Sequence, residues 1–244
     1  MFRSSQFTLD KGLGRVALAA FGLGFAMALH VALLAVYGAS LWTAPDDVSD
    51  RWHCLGLWSV YVVALCFFHL AEFMLTASFK PQDVSYESFL LNHSSEYHIA
   101  LVVSGAEFWL QALFAPSWKV RHTSVLLTGF VLVLVGQSSR IAAMWTAASN
   151  FSHRIEHLKR KEHVLVTHGV YRYVRHPSYM GWFLWTVGSQ MLLANPLCAV
   201  GYTIVSWGFF KDRIPYEEEL LLGFFPDEYP IYRSRTVSGV PFVR

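Results

Sequence analysis

Val16-Ala17-Leu18-Ala19-Ala20-Phe21-Gly22-Leu23-Gly24-Phe25-Ala26-Met27-Ala28-Leu29-His30-Val31-Ala32-Leu33-Leu34-Ala35-Val36-Tyr37-Gly38-Ala39 contains no Asp, Glu, Lys or Arg. A membrane span takes about 20 mostly apolar residues, and this run satisfies that length. A secretory signal has a shorter apolar core and a small-residue cleavage site, so Gly14 to Ser40 reads as a retained span. Working outward, the first span is placed at 15–39, with further spans at 55–79, 97–115 and 123–149. Two shorter apolar stretches, 178–194 and 196–211, are divided by Asn195-Pro196 and read as a tight helical hairpin.

Composition supports the same class. Of 244 residues, 54% are hydrophobic and 15% charged, against roughly 25% charged in an ordinary soluble domain. Mean hydropathy is +0.37. The net charge of +2 and the lack of a long basic run give no nucleic-acid partner. Strand-like alternation is absent, so a Rossmann domain has nowhere to sit. Gly12-Leu13-Gly14 and Gly22-Leu23-Gly24 are fragments of a glycine fingerprint that follow no strand. Gly22 and Ala26 read instead as small-residue helix packing. Cys54, Cys66 and Cys198 form no CxxC pair and read as membrane-buried thiols. The terminal Val-Pro-Phe-Val-Arg is not a prenylation box. The expected fold is therefore all-α: a polytopic transmembrane helical bundle of about six spans. N-terminal transmembrane helices are placed at 1–150 and a C-terminal region at 151–244.

Charge orients the bundle. Arg3, Lys11 and Arg15 precede the first span and put that end on the cytoplasmic side. The acidic loop Pro45-Asp46-Asp47-Val48-Ser49-Asp50 then faces the opposite side. With six spans, Arg154, Lys159, Arg160, Lys161, Arg172 and Arg175 return to the cytoplasm, as do Lys211, Arg213, Arg233 and Arg235. Lys119 and Arg121 conflict with this orientation.

Ionisable groups in membrane segments are functional candidates because burying them is costly. Four clusters stand out. His69 and Glu72 share a helix face and read as interhelical hydrogen bonding, or as part of a metal site that needs further ligands. Asn92-His93-Ser94-Ser95-Glu96-Tyr97-His98 reads as a helix cap with Ser94 or Ser95 at the N-cap, or as a site. The stretch from His163 to Gly181 holds a conformationally free Gly169 and a Pro177 suited to a first helical turn. An anion could meet that helix start, with Arg172 and Arg175 adding charge; the alternative is a basic loop touching anionic lipid, which would have no need of the His, Pro, Tyr and Gly found here. Finally, Arg213-Ile214-Pro215-Tyr216-Glu217-Glu218-Glu219 places Arg213 and Glu217 four apart on one face. They read as a surface pair there, or Arg213 clamps an anionic substrate while Glu217 binds a cationic or hydroxyl-bearing one.

These residues carry a resemblance. His168-Gly169-Val170-Tyr171, then Arg175-His176-Pro177-Ser178-Tyr179-Met180-Gly181 and Glu217-Glu218, resemble the isoprenylcysteine carboxyl methyltransferases of the endoplasmic reticulum. Ser88-Phe89-Leu90-Leu91-Asn92-His93-Ser94-Ser95-Glu96-Tyr97 and Gly239-Val240-Pro241-Phe242 are similar to the same family, so the likeness runs from about residue 15. Phospholipid N-methyltransferases acting on phosphatidylethanolamine share Arg-His-Pro-x-Tyr and the acidic pair. NADPH-dependent sterol reductases carry a related C-terminal half. The Asn-His-Ser-x-Glu-Tyr stretch favours the prenylcysteine enzyme. Animal relatives have up to eight spans.

The resemblance implies methyl esterification of the C-terminal carboxylate of prenylated cysteine in CaaX-processed proteins. The methyl donor would be S-adenosylmethionine, with S-adenosylhomocysteine as product and no metal. The cofactor pocket would face the cytosol and be built from the C-terminal third. Its contacts would be Glu156, His163, Val164, Leu165, Val166, Tyr171, His176, Pro177, Ser178, Tyr179 and Glu217. Arg213 would hold the substrate carboxylate, and Arg213 and Glu217 would be the catalytic pair. Partners would be farnesylated or geranylgeranylated proteins and membrane lipid, at the endoplasmic reticulum membrane.

Overall fold

The computed structural model describes residues 5–44, 49–91, 94–159 and 163–243. Arg3, Pro45 to Val48, Asn92, His93, Arg160 and Lys161, all named above, lie outside these. Among the described residues every regular element is helical: α1 (Ser5–Thr8), α2 (Leu13–Thr43), α3 (Asp50–Phe79), α4 (Ser95–Phe114), α5 (Pro116–Arg121), α6 (Thr123–Ala147), α7 (Pro177–Leu192), α8 (Pro196–Phe224) and α9 (Tyr229–Arg235). A single parallel bridge, Val174 to Val237, is the only extended pairing among them. Among the described residues four helices, α2, α3, α4 and the segment Thr123–Asn150, are long and apolar enough to cross a membrane.

Helix starts follow their caps. The Ser49 hydroxyl accepts from the Trp52 amide, and Asp50 lies in the first turn of α3, where acid favours the positive helix end. Of the two serines proposed before α4, Ser94 takes the N-cap, accepting from Tyr97 N at 3.2 Å. The chain divides into two compact units, Met1–Val131 with Gly188–Ala199, and Leu132–Val187 with Val200–Arg244.

In the first unit the polar groups hold helices and their ends. His69 Nδ1 lies 2.7 Å from the Phe89 carbonyl. A carbonyl only accepts, so Nδ1 carries the proton, and Nε2 faces the Tyr97 hydroxyl at 2.9 Å. His69 therefore ties α3 to the segment before α4 and to α4 itself. Lys119 is not a loop charge on the wrong side of the membrane. It is fully buried and donates to the carbonyls of Leu193 (2.7 Å) and Ala194 (3.3 Å) and to Asn195 Oδ1 (2.9 Å). The ammonium thus meets the negative end of α7. Burial pushes its pKa down to about 8, with Glu107 opposing. Glu107 serves the other side of the same turn, accepting from the amides of Leu197 (3.0 Å) and Cys198 (2.7 Å) at the start of α8. The two charges clamp both ends of the Asn195-Pro196 turn, so positive-inside counting does not apply to Lys119. Cys54, Cys66 and Cys198 are buried free thiols.

In the second unit the close helix contact is made by α6 and α7. A Cβ on Gly136 would stand 2.6 Å from the Gly181 carbonyl oxygen and 2.6 Å from Trp185 N. Gly22, expected to pack this way, faces open space. Gly136→Val is expected to lower stability by about 1–3 kcal/mol or more, since backbone must move to admit the side chain. An unchanged melting midpoint in detergent contradicts that account.

The reading of 196–211 as a helix stops too early. Helix α8 runs to Phe224 with Pro215 inside it. Pro215 cannot donate to the Lys211 carbonyl, which weakens one turn. Ile214 and Glu218, buried on successive turns, and Leu221 one turn on, packed against a buried aromatic cluster, carry the helix onward.

Candidate active site

The site is contained in the second unit. It starts from an irregular stretch after α6 that lies beside the first turns of α7. Asn150 Oδ1 accepts from Val164 N at 3.0 Å, tying the stretch to the end of α6. Gly169 adopts φ +58° and opens a short 3-10 turn through Arg172. Pro177 then begins α7. The motif's own amides reach the C-terminal tail: Arg175 N donates to the Val237 carbonyl (2.8 Å) and His176 N to that of Ser238 (3.1 Å). The Ser238 hydroxyl donates to the Val243 carbonyl. Val240 and Val243 pack into a core with Phe183, Phe210 and Ile214.

Below the motif lies a buried ion network centred on Glu218, which is 1% exposed. Its Oε1 accepts from Arg175 Nε at 2.7 Å and lies 3.2 Å from His176 Nε2. Its Oε2 pairs with Arg233 Nε at 2.9 Å. Arg175 Nη1 also donates to the carbonyls of Arg233 (3.3 Å) and Thr236. Burial alone would raise the Glu218 carboxyl, but hydrogen bonds from His176 and Arg175 outweigh it and hold the pKa at about 2. This revises the expected anion site at the α7 start. The charge of Arg175 is consumed by Glu218, while Arg172 is exposed beside the Tyr173 ring.

A second chain of contacts joins Arg213 to Glu217. Arg213 Nε donates to the Tyr179 hydroxyl at 2.9 Å, and that hydroxyl donates to Glu217 Oε2 at 2.5 Å. Arg213 Nη2 donates to the His153 carbonyl at 2.8 Å. The guanidinium lies 5.4 Å from the Tyr179 ring centre and 5.5 Å from that of Phe209. Among the described residues, its Nη1 and the second Nη2 hydrogen have no hydrogen-bond partner and stay available for an anion. Arg213 and Glu217 do share a face of α8, and Tyr179 bridges them.

Both networks border one cleft with about 730 Å³ of empty space, its open mouth included. Small-molecule clefts run from roughly 300 to 1,000 Å³. Its walls include His163, Val164, Leu165, Val166, Tyr171, His176, Pro177, Ser178, Tyr179 and Glu217. Ten of the eleven positions assigned to a cofactor from sequence are thus brought together. Glu156, half-buried in the same irregular stretch, is not among the wall residues. Arg213 stands behind the wall, joined to it through Tyr179.

The cleft also uses residues that no motif marked. Asn150, Phe151 and Ser152 follow α6, while Leu221, Phe225, Tyr229 and Tyr232 come from the end of α8 and from α9. Arg140, buried on α6, donates to the Ser178 hydroxyl at 3.1 Å. Burial pushes the phenols of Tyr171 and Tyr229 upward and that of Tyr232 up to about 12, so all three stay protonated donors near neutrality. With Glu218 neutralised by its partners, Glu217 is, among the described residues, the carboxylate left facing the cavity. An aromatic and aliphatic cleft with one such carboxylate suits an amphipathic ligand carrying positive charge.

Comparison with known proteins identifies the family. The profile of the isoprenylcysteine carboxyl methyltransferase family matches residues 127–223, a span that holds all twelve positions assigned above, from Glu156 to Glu217. A Xenopus laevis protein-S-isoprenylcysteine O-methyltransferase is 43% identical, over 99% of this chain and 86% of its own. The human protein of that name is 45% identical over 75% of this chain, and the match spans 64% of the human one. The solved structure of a eukaryotic intramembrane Ras methyltransferase, an isoprenylcysteine carboxyl methyltransferase, superposes with a TM-score of 0.76 at 38% identity, covering 92% of this chain and 81% of that one. The chain belongs to the isoprenylcysteine carboxyl methyltransferase family.

Proposed function

We propose that this protein methyl-esterifies the C-terminal carboxylate of prenylated cysteine, with S-adenosylmethionine as methyl donor. The observation that carries the reading is the cleft itself. It gathers one facing carboxylate, Glu217, and joins it through Tyr179 to an arginine with free N–H groups. The residues fit the donor: Glu217 for its positive charge, Tyr179 and Phe225 for its aromatic part, and the Val164 to Val166 backbone along one wall. S-adenosylmethionine supplies an electrophilic methyl group on a sulfonium.

The rest is the chain's work. An α-carboxylate has a reference pKa of roughly 3.3–3.7, so it is ionised at neutral pH and needs no general base. Water is the obstacle, because a solvated carboxylate is a poor nucleophile. Arg213 grips it from one side only, since Nε and one Nη2 hydrogen are committed to Tyr179 and His153. Fixed orientation offsets the nucleophilicity that the ion pair removes. The aromatic and aliphatic walls exclude water and strengthen these contacts.

The membrane setting belongs to the same proposal. Helix α7 has 16 residues, about 24 Å at 1.5 Å per residue, short of a roughly 30 Å hydrocarbon core. We assign α7 and the first part of α8 as a tilted or protein-buried hairpin, giving six crossings in all, with residues 151–244 as the catalytic region. The cleft faces the cytosol of the endoplasmic reticulum membrane, where farnesyl or geranylgeranyl chains partition into lipid and the methyl donor arrives from water.

Detergent-solubilised protein given labelled S-adenosylmethionine is expected to methylate N-acetyl-farnesylcysteine, and to leave phosphatidylethanolamine and a sterol with NADPH unchanged. Label in phosphatidylethanolamine alone overturns the reading. Glu217→Ala is expected to weaken S-adenosylhomocysteine binding at least tenfold, as a charged partner is lost. Equal affinity by calorimetry removes Glu217 from the cofactor site.

A further inference from the structure

We propose that the Tyr229 hydroxyl is a hydrogen-bond donor to the methyl donor, an inference that rests on reading the cleft as the cofactor site. Tyr229 opens α9 just after α8, its amide donating to the Phe225 carbonyl at 2.9 Å. Its side chain is fully buried, packed with Phe225 and Tyr232 and flanked by Leu165 and Leu221. It forms part of the cleft wall.

The neighbouring tyrosines show what is unusual about it. The Tyr179 hydroxyl donates to Glu217, and the Tyr232 hydroxyl donates to the Tyr171 carbonyl at 2.7 Å. Among the described residues the Tyr229 hydroxyl has no hydrogen-bond partner. Buried polar groups are almost always satisfied, and one left unmade costs its full desolvation. A phenol that makes no hydrogen bond to its neighbours could be replaced by phenylalanine at little structural loss. A tyrosine at this wall position makes chemical sense when the occupant of the cleft completes its bond. S-adenosylmethionine carries several acceptors, in its carboxylate, its ribose and its purine, and a neutral phenol can donate to any of them. It would thus answer acceptor groups that Glu217, itself an acceptor, cannot.

The test compares full-length wild type with Tyr229→Phe and Tyr232→Phe in detergent, by calorimetric titration with S-adenosylhomocysteine and by melting without ligand. Tyr229→Phe is expected to bind about tenfold more weakly, while its unliganded midpoint stays level or rises because an unsatisfied group is gone. Tyr232→Phe, which strands the Tyr171 carbonyl, is expected to melt lower. Unchanged affinity in Tyr229→Phe overturns the inference and means water satisfies the hydroxyl. A lowered unliganded midpoint in that variant also overturns it and makes the hydroxyl structural. Wild type that binds no S-adenosylhomocysteine overturns the cofactor reading itself, an outcome distinct from the other two.

Discussion

Arg213→Ala is expected to lower kcat/KM for a prenylcysteine substrate by about two orders of magnitude, about 2.7 kcal/mol of transition-state stabilisation at 25 °C. Affinity for S-adenosylhomocysteine should fall far less, within about threefold. The split follows from geometry. Arg213 does not line the cleft; it touches the wall only through the Tyr179 hydroxyl, and Glu217 keeps that hydroxyl as a donor when the guanidinium is gone. What the variant loses outright is the remaining Nη1 and Nη2 N–H groups offered to a carboxylate. Arg213→Lys should rescue little. A lysine has no forked geometry with which to hold Tyr179, the His153 carbonyl and a carboxylate together. Wild-type efficiency in Arg213→Ala, or a loss of cofactor affinity as large as the loss in efficiency, would sink the substrate-side role.

Glu218→Ala should be the most damaging single change to folding in the second unit, at about 3–5 kcal/mol. Glu218 receives Arg175, His176 and Arg233, and truncation leaves the Arg175 charge buried with only carbonyl partners. Thermal unfolding in detergent measures this directly, and Glu218→Gln, which keeps one acceptor, should fall between. The pH dependence has a defined sign. The folded carboxyl sits at about 2 against an ordinary 4.5. The network's stabilisation is therefore fully present above about 4.5 and is lost as pH falls from there toward 2. The midpoint difference between wild type and Glu218→Ala should be flat from roughly pH 7 to 5 and shrink below that. A difference that stays constant down to pH 3 contradicts the assignment of Glu218 as the charged hub.

The contrast between Glu217 and Glu218 shows where sequence reading stops. Helices α2, α3, α4 and α6 were legible because an apolar run of bilayer length depends on composition alone. The wall residues from His163 to Tyr179 were legible because motif and resemblance place them close together in the chain. Within Glu217-Glu218-Glu219, however, only the four-residue step back to Arg213 could be read, and it picks out Glu217. The partners of Glu218 lie 43 residues before it and 15 after it, so no local spacing reveals them. For the same reason Arg175 was read as a charge for a ligand when it is spent on Glu218. Lys119 was misplaced by a rule about loops because its acceptors lie more than 70 residues away. Pro215 and the end of the apolar run hid the last turns of α8, whose buried face continues with a mixed, partly charged sequence. Tyr229 belongs to no motif, and only its burial beside an unmatched hydroxyl brings it forward.

The stitching of Val237 and Ser238 onto Arg175 and His176 has a consequence for the order of biosynthesis. The backbone donors of the motif lack their protein acceptors until Val237 and Ser238, translated well after them, arrive, and Val240 and Val243 must still seat in the core. A nascent chain can insert its long apolar helices while most of the cleft is unfinished. The site therefore closes only after residues 237–243 have left the ribosome, and a chain stalled before residue 237 is membrane-inserted yet has no finished pocket.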